Sequence, residues 1–207
     1  MKNQVATMHS VVNSTLIKNS MTYESFRKLL DDLFAENKTT GEKQSEAMLH
    51  YAKMNIVRMK RLDKTTKLSD HSIEVIKNIH RPMIWLSITE GWCGDAAQIL
   101  PVVELLTKEN KNIDHRFILR DEHLDVIDQF LTNGARSIPK TIFLDAETLE
   151  VLGDWGPRPA AVQKMVMDAK HQENVDWEVV KTDVQRWYAK DRTKQLQKEF
   201  IEAVERI

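Results

Sequence analysis

The chain has 207 residues, 42% hydrophobic and 29% charged, enough apolar material for an α/β domain with extensions. A formal net charge of −1 gives no electrostatic case for nucleic acid, and no apolar run approaches the roughly 20 residues that span a bilayer. One cysteine excludes an internal disulfide, and nothing points to an oxidising compartment, so the expected location is the cytoplasm.

In residues 1–21, Val11, Val12, Leu16 and Ile17 are interrupted by Asn13, Ser14 and Thr15, and no small-residue cleavage site follows. A signal peptide is therefore rejected in favour of a flexible or loosely helical arm. From 22 to 80 the pattern is helical. Thr22 is a candidate N-cap, followed by Phe26, Leu29, Leu30, Leu33 and Phe34 at the spacing of one helix face. Asn37 to Lys43, with Gly41, reads as a break. A second stripe follows at Met48, Ala52, Ile56, Met59 and Leu62, its other face carrying Arg58, Lys60 and Arg61, which read as a solvated basic face. His50, Tyr51, Met48, Met54 and Met59 read as core. A short helix over 72–79 leads into Pro82.

Strand and helix then alternate. Met83 to Ile88 is a short apolar run fit for a buried strand. Residues 95–108 carry a helical stripe, and 113–119 form the next strand. Residues 124–131 predict a helix ending at Asn133-Gly134 as a C-cap pair. Residues 141–144 and 150–152 flank a hairpin connection, and a helix starts after Pro159. This order predicts an α/β fold: a central mixed sheet with helices on both faces. Residues 177–207 read as a charged helical stretch that folds back on the N-terminal helices or packs against another chain, which makes a homodimer one expectation.

The chemistry centres on Trp92-Cys93-Gly94-Asp95-Ala96, between a predicted buried strand and a helix. Backbone N–H groups and the helix dipole favour a thiolate there. Asp95 opposes it by its charge, and the net expectation is a modestly lowered Cys93 pKa. Pro101 falls inside the helix, where it would kink it. Ile138-Pro139 enters a strand through a tight loop, a place that tolerates a cis bond. No metal site is expected, because the seven histidines are scattered and cysteine clusters are missing. No cofactor is expected either, since six glycines form no phosphate-cradling run.

These residues resemble the thioredoxin superfamily. Trp92-Cys93-Gly94 is similar to its Trp-Cys-Gly motif, Pro101 to the proline that kinks its active-site helix, and Ile138-Pro139 to its cis-proline loop. The segments around Cys93, Asn133-Gly134-Ala135-Arg136-Ser137-Ile138-Pro139-Lys140, Trp155-Gly156-Pro157-Arg158-Pro159 and Trp187-Tyr188 resemble a bacterial thioredoxin-like branch with helical extensions. The resemblance implies a thioredoxin-like fold over 81–172, with helical extensions at 22–80 and 173–207. It also implies a nucleophilic Cys93 flanked by substrate-facing Trp92, Gly94, Asp95, Ile138 and Pro139.

Two departures matter. Ala96 stands where dithiol thioredoxins carry the resolving cysteine, and Ser87 where they carry a buried acid. Ordinary dithiol turnover is therefore not expected; what remains is a monothiol that forms mixed disulfides. If the resemblance holds, Arg136, Lys140 and Arg158 lie near the thiol. There they either anchor carboxylates of a low-molecular-weight thiol or pair with neighbours such as Asp154. Trp92 and Trp155 either shield the thiol or are ordinary half-buried aromatics. Two functions stay open. One is a monothiol protein of cell redox homeostasis, exchanging with a protein or small thiol. The other is a redox-inactive interaction module on the same fold.

Overall fold

The computed structural model describes residues 11–207. Of the arm expected over 1–21, residues 1–10 lie outside the described residues. The remainder holds helix α1 (Ser14–Asn19), capped by the Asn13 side chain, and then Met21, whose backbone pairs with Phe117. Val12 is buried in the core.

Helix α2 (Tyr23–Ala35) starts where the sequence places it, with the Thr22 hydroxyl accepting the Ser25 N–H. Helices α3 (Glu46–Thr65) and α4 (Asp70–Lys77) follow, capped in the same way by Ser45 and Ser69. The alternating part comprises β1 (Met83–Thr89), α5 (Ala96–Thr107), β2 (Ile113–Leu119), α6 (Leu124–Ile127), β3 (Lys140–Asp145), β4 (Val151–Trp155) and α7 (Ala160–Lys170). The chain closes with α8 (Trp177–Asp191) and α9 (Lys194–Val204).

The sheet order is β2-β1-β3-β4, with β1 parallel to β2 and β3 antiparallel to both its neighbours. β1 lies inside the sheet with both faces covered, which is why all seven of its residues are buried and its sequence is almost continuously apolar. Its alternate side chains feed two clusters. Ile84, Leu86 and Ile88 join Phe26, Leu30, Met59, Ile142 and Leu144. Met83 and Trp85 join Phe143, Ile76, Val162, Phe200 and Ile201. β4 is an edge strand and correspondingly only half-buried.

Two expected elements differ. The helix predicted over 124–131 stops at Ile127, and Asn133-Gly134 is not its cap. Both residues have positive φ, 50° and 74°, and Thr132 and Ala135 exchange backbone hydrogen bonds around them, a two-residue hairpin turn that suits Asn-Gly. The C-terminal stretch is two helices. Arg192 and Thr193 both adopt left-handed backbone conformations, an arrangement that costs a non-glycine residue about 1–2 kcal/mol. The turn is stabilised by Asp191, whose carboxylate accepts the N–H groups of Gln195 and Leu196, and by what it delivers. Phe200 packs among Trp85, Phe143 and Trp155 with ring centroids 5.3–5.6 Å apart. The C-terminal helix therefore completes one face of the sheet.

Among the described residues no helix is long and apolar enough to cross a membrane.

Candidate functional site

The Cys93 loop connects the end of β1 to α5, and its shape is held from outside the sheet. Cys93 N–H donates to the Glu90 carbonyl at 3.1 Å, and Ala97 N–H donates back to the Cys93 carbonyl at 3.2 Å. From the N-terminal segment, the Thr40 hydroxyl accepts the Gly91 N–H at 2.7 Å, and Asn55 Nδ2 of α3 donates to the Gly91 carbonyl at 3.0 Å. Asn55 is 1% exposed, so this clamp works away from water, where hydrogen bonds are strongest.

Opposite lies the loop before β3, whose Ile138–Pro139 bond is cis. The Cys93 Sγ–H donates to the Ile138 carbonyl at 3.4 Å. The Gly156–Pro157 bond is also cis. A Cβ on Gly156 would sit 2.4 Å from the Pro139 carbonyl oxygen, so only glycine lets these loops meet, and φ there is +127°. That approach places Arg158 on Asp95. Its Nη2 and Nε lie 2.8 and 3.0 Å from Asp95 Oδ2, while Tyr188 of α8 donates to Oδ1 at 2.8 Å. Burial pushes the Asp95 carboxyl up, opposed by Arg158 and Tyr188.

The expectation of a lowered thiol pKa is overturned. Cys93 is 7% exposed, and burial pushes its pKa up to about 12, with the Asp95 charge as the next cause. The amides of Ala96 and Asp95 and the Arg158 guanidinium pull it down, as a helix start should. They lose because the thiolate, but not the thiol, must shed its hydration to sit here.

The sequence-nominated cations are placed as follows. Arg136 makes a bidentate pair with Asp128 at 2.6 and 2.7 Å on the surface. Lys140 is buried and bound to Asp154 at 2.7 Å. Arg158 is the partner of Asp95. Each thus already holds a carboxylate. Trp92 borders the thiol cleft beneath the Arg120 guanidinium, 4.9 Å from the ring centre. Trp155 instead belongs to the Phe200 cluster.

A cleft of about 500 Å³ opens over Cys93, within the range of small-molecule sites. Its floor is Trp92 to Asp95 with Ser137 and Ile138, and its walls are α3 and α8. The two walls are tied together: Tyr51 donates to Glu178 at 2.9 Å and accepts from Lys181 at 2.8 Å. Met48 and Tyr51, read from sequence as core, line this cleft, whereas Met54 is 40% exposed and Met59 is core.

Sequence reasoning missed several residues. Arg58, read as solvated, faces the cleft and hydrogen-bonds Asn55 Oδ1 at 2.8 Å. Glu90, 1% exposed, puts an acid beside the thiol loop, accepting the Asp121 N–H through Oε1; burial pushes this carboxyl up, opposed by hydrogen bonding from the Thr40 side chain and the Asp121 amide. Gln185 arrives from α8, far along the chain, with no local signal; Tyr188 of the same helix falls in the Trp187-Tyr188 segment that carries the resemblance, but its contact with Asp95 has no local signal. Ser87 joins another network: its Oγ lies 2.9 Å from both His115 Nε2 and Thr141 Oγ1, and His115 Nδ1 lies 3.0 Å from Glu104. All of these polar groups are buried and mutually satisfied, so they form a core polar chain. Among the described residues no group of three His, Cys, Asp or Glu side chains could hold a metal ion.

A family model described as thioredoxin matches residues 41–172. The match starts within the helical segment 22–80, ahead of α3, so the helix that clamps Gly91 lies inside the matched region. Among solved structures, a protein of unknown function from Pseudomonas aeruginosa aligns at 18% identity and a TM-score of 0.60, over 94% of this chain and 98% of its own. An HIV epitope-scaffold aligns at 17% identity and a TM-score of 0.53, over 89% and 98%. At such identities these neighbours speak to the fold alone. No curated protein matches.

Proposed function

The chain belongs to the thioredoxin family, and from that premise we propose that it is a monothiol exchange protein of cell redox homeostasis, with Cys93 as its nucleophile. The observation that carries this reading is the position of Sγ. It lies on the floor of a cleft, 3.4 Å from the Ile138 carbonyl beside the cis-proline, with two backbone amides and Arg158 favouring its anion. Trp92, Gly94, Asp95, Ile138 and Pro139 form the surface on which the reacting sulfur would rest.

The chemistry needs no second cysteine. The Cys93 thiolate attacks one sulfur of a disulfide R–S–S–R′, its proton having passed to solvent. An Sγ–S bond forms while the S–S bond breaks, and its electron pair leaves on R′S⁻. A thiolate from the small-thiol pool then attacks the mixed disulfide, takes R as a new disulfide and returns Cys93. The pool thiol is oxidised by as many electrons as the original disulfide gains. Such traffic suits a bacterial cytoplasm, where small thiols are abundant and structural disulfides rare.

The buried thiol sets the pace. With its pKa at about 12, only a minute fraction is thiolate at neutral pH, so exchange is slow and accelerates with pH. This same observation favours the second reading, a redox-inactive module that binds its ligand without covalent chemistry. Intact mass spectrometry with a neutral disulfide, bis(2-hydroxyethyl) disulfide, separates the two. Exchange requires a Cys93 adduct that forms faster at higher pH and is released by excess thiol. A folded protein that stays unmodified across that range would leave only the module.

A further inference from the structure

The cleft over Cys93 is rich in positive charge. Arg58, Arg120, Arg136, Arg158 and Lys181 line it, and Asp95 is the sole carboxylate among its lining residues. Four of the five cations are already neutralised: Arg120 by Asp121, Arg136 by Asp128, Arg158 by Asp95 and Lys181 by Glu178. Arg58 differs. Among the described residues no carboxylate lies within ion-pair distance of it, and its hydrogen-bond partner is the neutral Asn55 amide.

Its position is specific. A Cβ placed on Gly94 would lie 3.9 Å from Arg58 Nη1 and 3.1 Å from Gln185 Nε2, so both donors stand directly over the residue after the cysteine. Arg58 is partly buried and is held by Asn55, whose amide also grips Gly91. Guanidinium, clamp and thiol loop thus form one connected unit. Burial and the neighbouring Arg61 both pull the Arg58 pKa down, the signature of a cation short of counter-charge. Apolar side chains, Met48, Val166, Trp177, Val180 and Val184, share the lining with the uncharged donors and acceptors of Tyr51, Asn55, Ser137 and Gln185. A partly desolvated guanidinium with no acid partner among the described residues is suited to a carboxylate arriving with a ligand.

We propose that this cleft binds a carboxylate-bearing low-molecular-weight thiol or disulfide, with Arg58 as the anchor that pairs with its carboxylate beside Cys93. The substrate class is small because α3 and α8 wall the cleft and are bridged by Tyr51, Glu178 and Lys181. This specifies the ligand of the proposed exchange reaction, but binding itself does not depend on that reaction.

The test uses the full chain and S-methylglutathione, whose blocked sulfur cannot exchange. Titration is followed by tryptophan fluorescence, since Trp92 and Trp177 line the cleft, and by calorimetry. Saturable binding is expected for the wild type, weakened about tenfold or more by Arg58→Gln and less by Arg58→Lys, which keeps the charge but loses the fork. A second measurement compares Cys93 adduct formation with glutathione disulfide, bis(2-hydroxyethyl) disulfide and the cationic cystamine. The anionic disulfide should gain most over the neutral one, and Arg58→Gln should erase that gain. Absence of binding at millimolar S-methylglutathione, or equal affinity in a folded Arg58→Gln variant, overturns the proposal even if the neutral disulfide reacts. Arg58-dependent binding with no disulfide reacting supports the anion site and removes the exchange reading instead. If Arg58→Gln fails to fold, the Arg58→Lys affinity and the charge ranking of the three disulfides on wild type decide.

Discussion

Replacing Asp95 with asparagine should make Cys93 more reactive. Raising the thiol from its ordinary 9.0 to about 12 disfavours the thiolate by about 4 kcal/mol, or about a thousandfold at neutral pH. Burial is the first cause and the Asp95 charge the second. A charge close to an ionisable group typically moves its pKa by about 1–3 units. Arg158, pairing with that carboxylate, cancels part of it. Removing the charge also leaves Arg158 without its carboxylate near the sulfur. A fall of about one to two pH units follows, equivalent to alkylation about 10- to 100-fold faster at pH 8. Asparagine keeps an acceptor for Tyr188, and losing the charge-assisted Arg158 bonds should cost about 1–3 kcal/mol of stability, measurable by urea unfolding. The assay is the iodoacetamide rate followed by intact mass from neutral pH to about pH 9.5, with urea-unfolded protein as the reference thiol. The wild-type rate should climb log-linearly without a plateau. A wild-type plateau below the ordinary cysteine pKa, or an Asp95→Asn rate no faster than wild type, would refute this account.

Three other outcomes follow from the same structure. Phe200→Ala should cost about 3–5 kcal/mol in urea unfolding, because it empties the cluster of Trp85, Phe143 and Trp155; a loss below about 1 kcal/mol would mean that α9 does not complete the core. His115 is buried with its pKa lowered, chiefly by burial, so the unfolded chain binds the extra proton. Stability is therefore full above the ordinary histidine pKa and falls as pH drops below it, and His115→Asn should flatten the pH dependence of Tm between pH 7 and about pH 5 while lowering Tm at pH 7; an unchanged slope would reject this. Tyr51→Phe removes the hydroxyl of the half-buried Tyr51 that bridges α3 and α8 over the cleft. It should change stability by under about 1 kcal/mol yet raise the Cys93 alkylation rate a few-fold, and an unchanged rate would show that the bridge does not limit access.

Local pattern carried much of the fold. Thr22 followed by the Phe26-Leu30 face marks a capped amphipathic helix, and that signal is complete within about two helical turns. The run Met83–Thr89 reads as a buried strand because a strand covered on both faces has no polar side to reveal. Asn133-Gly134 shows the limit. The pair fits a helix C-cap and a hairpin turn equally, and what decided was whether the helix before it continued past Ile127. Arg192-Thr193 carries no breaking signal, since both are ordinary helical residues. Their left-handed backbone is stabilised by Asp191 capping the next helix and by Phe200 reaching the sheet, a contact made with Trp85, more than a hundred residues earlier.

The same division holds for the site. Sequence alone fixed the nucleophile candidate, its lack of a resolving partner at Ala96 and its proline loop, because these are adjacent residues whose chemistry follows from identity and order. Tertiary structure decided how that thiol behaves. Its ionisation depends on burial and on the charges of Asp95 and Arg158, brought together from separate segments with Tyr188 holding Asp95, and desolvation outweighs the local helix-start effect. It also decided which cation is available. Arg136, Lys140 and Arg158, which sequence leaves either as anchors or as partners of neighbouring acids, find carboxylates in space, while Arg58, on a helix face that reads as solvated, faces the thiol cleft without one among the described residues. Charge pairing and desolvation depend on three-dimensional distance, and distance between remote segments is what the order of residues does not contain.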